Sequence, residues 1–286
     1  MKTLLKYRGL WPAVLLLILT LGCKKSTNDN TTPQPVATAC QIQKKAFNTG
    51  EYELYTFDAN GFLTGYAGYF VDQNNKIPTT VTPDKYTYNG LGLLDRATYG
   101  TGTGYEQYSY TNGALAKIEV FQGGKMVYQI DVTTDANKRI TAMKNNNISG
   151  NPDYYDSYST KYTLDAQGQY TRVEATNKDG IFYTSEWSAF DPTIQSPYKA
   201  LKGMSFYPGD SFVIYGTNPP LNAGMYTKEI GFYAYDDTGK FVGLKKAYDG
   251  ITTRTSNTKN YPLTRKVVDA LSGTTSTITY QYSNCN

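Results

Sequence analysis

Carboxylates are the side chains of this sequence best placed to do chemistry, because histidine is absent. Without imidazole there is no usual general base, no His metal ligand and no Ser-His or Cys-His nucleophile pair. Glycoside hydrolysis needs two carboxyl groups about 5–10 Å apart. Glu51 with Glu53, on one strand face, and Asp153 with Asp156, in a polar stretch, are candidate pairs. A chain with 24 acidic residues supplies such pairs by chance, and nothing raises one above the rest. Ser196-Pro-Tyr-Lys199 and Ser256-Asn-Thr-Lys259 fit the Ser-x-x-Lys pattern of acyl-enzymes, but that chemistry needs a helix start and partner motifs that neither stretch has. Asp58-Ala-Asn60-Gly61 opens like a calcium loop, yet Tyr69 stands at the twelfth position, where an EF-hand places a bidentate Glu. Gly100-Thr-Gly102-Thr-Gly104 precedes no helix, so it reads as a hairpin loop rather than a phosphate cradle. Cys40 and Cys285 alone cannot hold a structural zinc. The sequence therefore designates no catalytic residue, no metal and no cofactor, and the expected protein is not an enzyme.

Tyrosine is the other conspicuous chemistry, 28 of 286 residues. Tyr55, Tyr86, Tyr88, Tyr108, Tyr110, Tyr162, Tyr233 and Tyr235 fall at equivalent points of a recurring pattern and are expected on one sheet face. Such a row either lines a core with its hydroxyls at the wet margin or, if exposed, stacks on sugar rings together with Trp187. The core reading is the stronger.

The elements that position these side chains are repeats. Tyr55-Thr-Phe57-Asp58-Ala-Asn-Gly61-Phe-Leu63 aligns with Tyr86-Thr-Tyr88-Asn89-Gly-Leu-Gly92-Leu-Leu94, with Tyr162-Thr-Leu164-Asp165-Ala-Gln-Gly168-Gln-Tyr170 and with Tyr233-Ala-Tyr235-Asp236-Asp-Thr-Gly239-Lys-Phe241. Asp135-Ala-Asn-Lys138 keeps the frame without the glycine, and Tyr108-Ser-Tyr110-Thr-Asn-Gly113 is one residue shorter. Aromatics two apart share a strand face. The Asp or Asn bonds the backbone two residues on, and Gly supplies the positive φ that closes the turn. Each unit is a β-hairpin, and helical periodicity is nearly absent. The expected fold is all-β, a long antiparallel meander of roughly sixteen to twenty strands. Five of the twelve prolines lie in 192–220, which excludes a central strand and marks an excursion before the repeat resumes at Tyr233.

The amino terminus reads as an address. Lys2, Lys6 and Arg8 precede an apolar run from Leu10 to Gly22, too short to span about 30 Å of hydrocarbon as a helix. It ends Leu19-Thr-Leu-Gly22-Cys23, which resembles the lipobox of bacterial lipoproteins, although Thr20 and Leu21 depart from its strictest form. The resemblance implies a signal peptide at 1–22, lipidation of Cys23 and anchorage in the outer membrane, with the leaflet undecided. Residues 23–39 are polar and Pro-containing and read as a flexible tether. Loss of the three signal cations leaves 25 basic against 24 acidic residues, so no basic field exists to bind nucleic acid.

In an oxidising envelope the remaining pair, Cys40 and Cys285, reads as a disulfide. Its geometry would require the first and last strands to be neighbours, so that the meander of 40–286 curls or closes on itself.

The repeat Tyr-x-Tyr-[Asp/Asn]-x-x-Gly-x-Leu resembles the YD repeat of Rhs-type proteins, and more closely the repeat-bearing lipoproteins of unassigned function common in Bacteroidota. The closing Tyr280-Gln-Tyr282-Ser-Asn-Cys285 and, loosely, Phe190-Asp-Pro192 to Leu201 are similar to the same proteins. The resemblance implies a lipid-anchored, all-β, non-catalytic protein and carries no known ligand with it; the expected role is structural or binding. A glycan or another envelope protein would be its partner.

Overall fold

Alternating apolar and polar residues separated by Asx-Gly turns cannot form amphipathic helices, because only a period of two sorts them onto opposite faces. A computed structural model describes residues 40–72, 74–150, 157–207 and 225–285, and these contain sixteen strands and no helix. The first eight are β1 (Gln41–Phe47), β2 (Tyr52–Phe57), β3 (Leu63–Tyr69), β4 (Asp84–Tyr88), β5 (Leu94–Thr98), β6 (Gly104–Thr111), β7 (Ala114–Gln122) and β8 (Lys125–Thr134). The second eight are β9 (Ile140–Asn147), β10 (Tyr158–Leu164), β11 (Tyr170–Asn177), β12 (Gly180–Asp191), β13 (Met225–Tyr235), β14 (Phe241–Ser256), β15 (Pro262–Asp269) and β16 (Thr275–Ser283). Each strand pairs antiparallel with its neighbours in sequence, and β1 pairs with β16, so the sheet is a closed barrel. Closure removes both free edges. Cys40 and Cys285, just outside those two strands, are joined by a disulfide with Cα atoms 4.6 Å apart.

The turns reproduce one set of bonds. Asp58 Oδ1 accepts the amides of Asn60 and Phe62 at 2.9 and 2.8 Å, and Gly61 N donates to Asp58 O at 3.0 Å. Asn89, Asp135, Asp165 and Asp236 make the same three bonds, with Gly92, Lys138, Gly168 and Gly239 at the positive-φ position. A register shift precedes the turn in the β2–β3, β4–β5, β8–β9 and β10–β11 hairpins. In three of these, Thr64, Thr141 and Thr171 each return a hydroxyl bond of 3.2 Å to the carbonyl of Thr56, Thr133 and Thr163.

Because strands alternate in direction, the turns after β2, β4, β6, β8 and β10 gather with the disulfide at one end. The excursion after β12 leaves from that same end. The Asp236 turn, after β13, consequently lies at the opposite end from the Asp58, Asn89 and Asp165 turns. The Tyr ladder changes with it. Tyr55, Tyr86 and Tyr162 are buried, but Tyr233 is 46% exposed while its neighbour Ala234 is buried. Register shifts on both sides of Tyr233 interrupt the β13–β14 ladder there. The expectation of one shared face thus fails at this copy.

Inside, two clusters share the lumen. One is built on Ile118, Tyr128, Ile130, Ile140, Tyr162 and Val173, the other on Ile42, Tyr55, Leu63, Tyr86, Leu94 and Tyr280. Burying an aliphatic or aromatic side chain of this size contributes about 1.5–3 kcal/mol. The excursion joins both, since Phe206 belongs to the first cluster and Leu201 to the second.

The outer face is the reverse. Between inward Ile118 and Val120, Glu119 points out beside Lys117, and the pair lies 3.6 Å apart. Arg172 pairs outward with Glu174 and Glu186, both at 2.8 Å. Lys85, Asp131, Lys144, Lys161 and Lys266 are exposed within their strands. Exposed Ile251, Leu263 and Val268 lie on β14 and β15.

Candidate functional site

The disulfide end is where chemistry-bearing residues converge. Beyond β12, Asp191 caps the chain's exit by accepting the amide and hydroxyl of Thr193 at 2.9 and 2.6 Å. The segment then drops into the mouth. Tyr198 packs on Tyr55 of β2 and on Tyr207, with ring centroids 6.1 and 4.6 Å away. Gly203 O accepts Leu94 N of β5 at 2.9 Å, and Lys202 Nζ donates to Asn60 O at 2.7 Å. A cleft of about 350 Å³ remains between the Asp58 turn and Lys199 and Lys202, with Gln41 and Asn284 on its rim.

Three polar groups sit below this mouth or along the inner wall. Glu53 accepts the Tyr55 hydroxyl and pairs with Lys45 at 3.0 Å. Burial, then Tyr198 and Glu53, push the Tyr55 hydroxyl well above its ordinary pKa. Glu106 accepts Tyr99 at 2.7 Å and also Tyr108, and burial raises its carboxyl despite these two donors. Glu229 accepts Ser185 Oγ at 3.0 Å, Trp187 Nε1 at 3.1 Å and the Tyr226 hydroxyl at 3.1 Å.

Among the described residues, the Glu51–Glu53 pair suggested by the sequence is not assembled for hydrolysis. Glu53 faces the lumen, whereas Glu51 accepts Val71 N at 3.0 Å and Thr49 Oγ1 at 2.8 Å on the exposed turn side. Asp153 and Asp156 lie outside the described residues, as do Cys23 and the whole of 1–39. Ser196 is buried with its Oγ toward Tyr198 N, while Lys199 Nζ reaches Gln195 Oε1 at 2.5 Å, so no Ser-Lys dyad forms. Ser256 ends β14, and Lys259 lies within the following turn. Gly100–Gly104 is a β-turn closed by the Gly102 N to Tyr99 O bond of 2.9 Å. Asp58 Oδ1 is already engaged by two backbone amides. No group of three or more Cys, Asp or Glu side chains suited to a metal occurs among the described residues.

Of the rings named for an aromatic platform, Tyr233 is exposed, with its centroid 5.8 Å from that of Tyr235 at a tilt of 55°, whereas Trp187 is only 3% exposed. On the outer face Tyr52 stacks on Tyr69 at 4.4 Å and Tyr105 on Phe121 at 4.6 Å, but Lys44 and Arg96 cover Tyr52 and Tyr105. These are cation-capped cross-strand pairs.

Sequence reasoning missed two turns and the inner polar groups. Asn257 repeats the Asx pattern, with bonds of 3.0 Å from Lys259 N and Tyr261 N and with Asn260 at φ 62°. Asp72 does likewise, with Asn75 at φ 57°. The available signal was Asx at the first position with Asn, rather than Gly, three residues on, since Asn also tolerates positive φ.

The sequence matches no known protein family and no curated protein. Among solved structures, it resembles a porin-like protein from Bacteroides vulgatus, with TM-score 0.52 and 11% identity over 85% of this chain and 99% of that one. A porin-like protein from Bacteroides uniformis aligns at TM-score 0.37, with 11% identity over 85% of this chain and 98% of that one. The TcdB2-TccC3-Cdc42 structure aligns at 0.28, with 12% identity over 80% of this chain but only 9% of that one. The first likeness is one of fold; the other two are too loose to inform on it.

Proposed function

We propose that this chain is a lipid-anchored protein of the outer membrane, whose barrel is a water-facing, non-catalytic body with a structural or binding role. The observation that carries the reading is the sidedness of the wall. A barrel that crosses a bilayer turns an apolar band outward and keeps its interior polar, and Arg or Lys facing lipid at mid-depth costs about 2–4 kcal/mol each. Here Lys144, Lys161 and the Arg172–Glu174–Glu186 group occupy outward positions within their strands, while tyrosines and aliphatics fill the inside. Sixteen-stranded porins enclose an aqueous channel; in this barrel Tyr198, Leu201 and Phe206 enter the corresponding space.

A barrel with such a wall has no grip on hydrocarbon of its own, so attachment falls to Cys23 and its acyl chains. The partner is a glycan or another envelope protein, met through the exposed turns or the mouth. Cell fractionation of Cys23→Ser tests this. The variant should leave the membrane fraction for the soluble envelope extract, and retention in washed membranes would refute lipid anchorage.

A further inference from the structure

Arg254 and Arg265 face each other directly across β14 and β15. Both point into the lumen, on the face that also carries Tyr280 and Tyr226. Like charges opposed across strands are destabilising, and burial removes the water that would screen them. Burial, followed by the charge of Arg265, lowers the Arg254 pKa to about 10.

Tyr226, Tyr280 and Glu229 hold the Arg265 pKa up against burial, but among the described residues no carboxylate bonds either guanidinium. Among the described residues neither arginine is in an ion pair. Glu229 contributes an attractive field at Arg265, but its oxygens are engaged by Ser185, Trp187 and Tyr226. Asp191 acts weakly on Arg254 while holding Thr193. Among the described residues the arginines bond Tyr226, Arg254 Nη2 to its carbonyl at 2.5 Å and Arg265 Nη2 to its hydroxyl at 3.4 Å, and Arg265 also meets the Tyr280 hydroxyl. Each guanidinium carries five N–H donors, and both Nε groups are buried without an acceptor. Arg254 lies two residues from the end of β14 and Arg265 three from the start of β15, so both are near the disulfide-end mouth.

We propose that Arg254 and Arg265 form a lumenal site for an oxyanion: a carboxylate, phosphate or sulfate group. A planar or tetrahedral oxyanion between the two forks would take up the idle donors and cancel the repulsion. The site goes beyond the anchoring role above and does not depend on it.

Trp187 supplies the readout, because its indole bonds Glu229 and its ring lies 6.1 Å from Tyr226. The sequence has two tryptophans, Trp11 and Trp187. Full-length chain carrying Trp11→Phe, in detergent, would be titrated with inorganic phosphate, sulfate or acetate at constant ionic strength balanced with chloride. At least one oxyanion should change Trp187 emission saturably and raise the melting temperature above that in chloride. Phosphate and sulfate responding without acetate would assign a phosphoryl or sulfuryl ligand, and acetate alone a carboxylate. Arg254→Gln and Arg265→Gln should each raise the dissociation constant at least tenfold without lowering the anion-free melting temperature. Absence of any effect beyond chloride on the parent, a result that needs no variant to fold, would overturn the site. So would an unchanged dissociation constant in both variants, or variants that melt well below the parent, which would make the arginines structural.

Discussion

Tyr198 and Tyr55, 143 residues apart, bring their hydroxyls to 3.5 Å and their rings to 6.1 Å inside the barrel. Through this contact the described part of the excursion after β12, residues 192–207, becomes an internal element. Pro192 and Pro197 keep it from continuing as a strand, and Leu201 and Phe206 are buried in the lumen of the barrel it has just left. A filled lumen and a charged outer wall are two consequences of one inside-out sorting of residues.

The seating of that segment can be probed at a glycine. Gly203 and Gly239 both have positive φ, +69° and +77°, but a Cβ on Gly203 would stand 2.0 Å from Gly92 O, whereas one on Gly239 meets nothing within 4 Å. Gly239→Ala should cost about 1–2 kcal/mol, the strain of a left-handed alanine. Gly203→Ala should cost clearly more, because the backbone must lift from β5 and give up the Leu94 N bond. Urea titration of both variants measures the difference, and equal losses would mean that the segment is not seated against β5.

Glu106 provides a test by pH. Burial raises its carboxyl pKa in the folded protein. For a raised acid both states are protonated below the unfolded value of about 4.3, and stability is lost as pH climbs from there through the folded value. Glu106→Gln removes this loss while leaving an acceptor for Tyr99. The variant should melt with the wild type near about pH 4 and above it at about pH 8. Asp135, held low chiefly by Arg139, has the opposite dependence but is common to both proteins. A variant less stable at the higher pH would show that the two tyrosine donors outweigh desolvation.

Much of the architecture was legible because it is local. The Asp58, Asn89 and Asp165 turns announce themselves through residues within four positions of one another, and alternation in runs such as Tyr86-Thr-Tyr88 decides which side faces in. Cys40 and Cys285 carried the one long-range fact, closure. What was not legible depends on the count of strands and on the third dimension. The Asp236 turn is locally identical to the others, yet it sits at the far end because three strands, an odd number, separate it from the Asp165 turn. Tyr233 faces out for reasons of register that its own neighbours do not encode. Glu106, Glu229, Arg254 and Arg265 look like ordinary surface charges until closure turns their strand faces inward.

The central claim, a barrel built to face water, is tested most directly by purifying residues 24–286 without detergent. The account predicts a monodisperse soluble protein with a β-rich spectrum that produces no conductance steps in planar bilayers. Aggregation relieved only by detergent, or stepwise channel currents, would contradict it and place the wall in lipid.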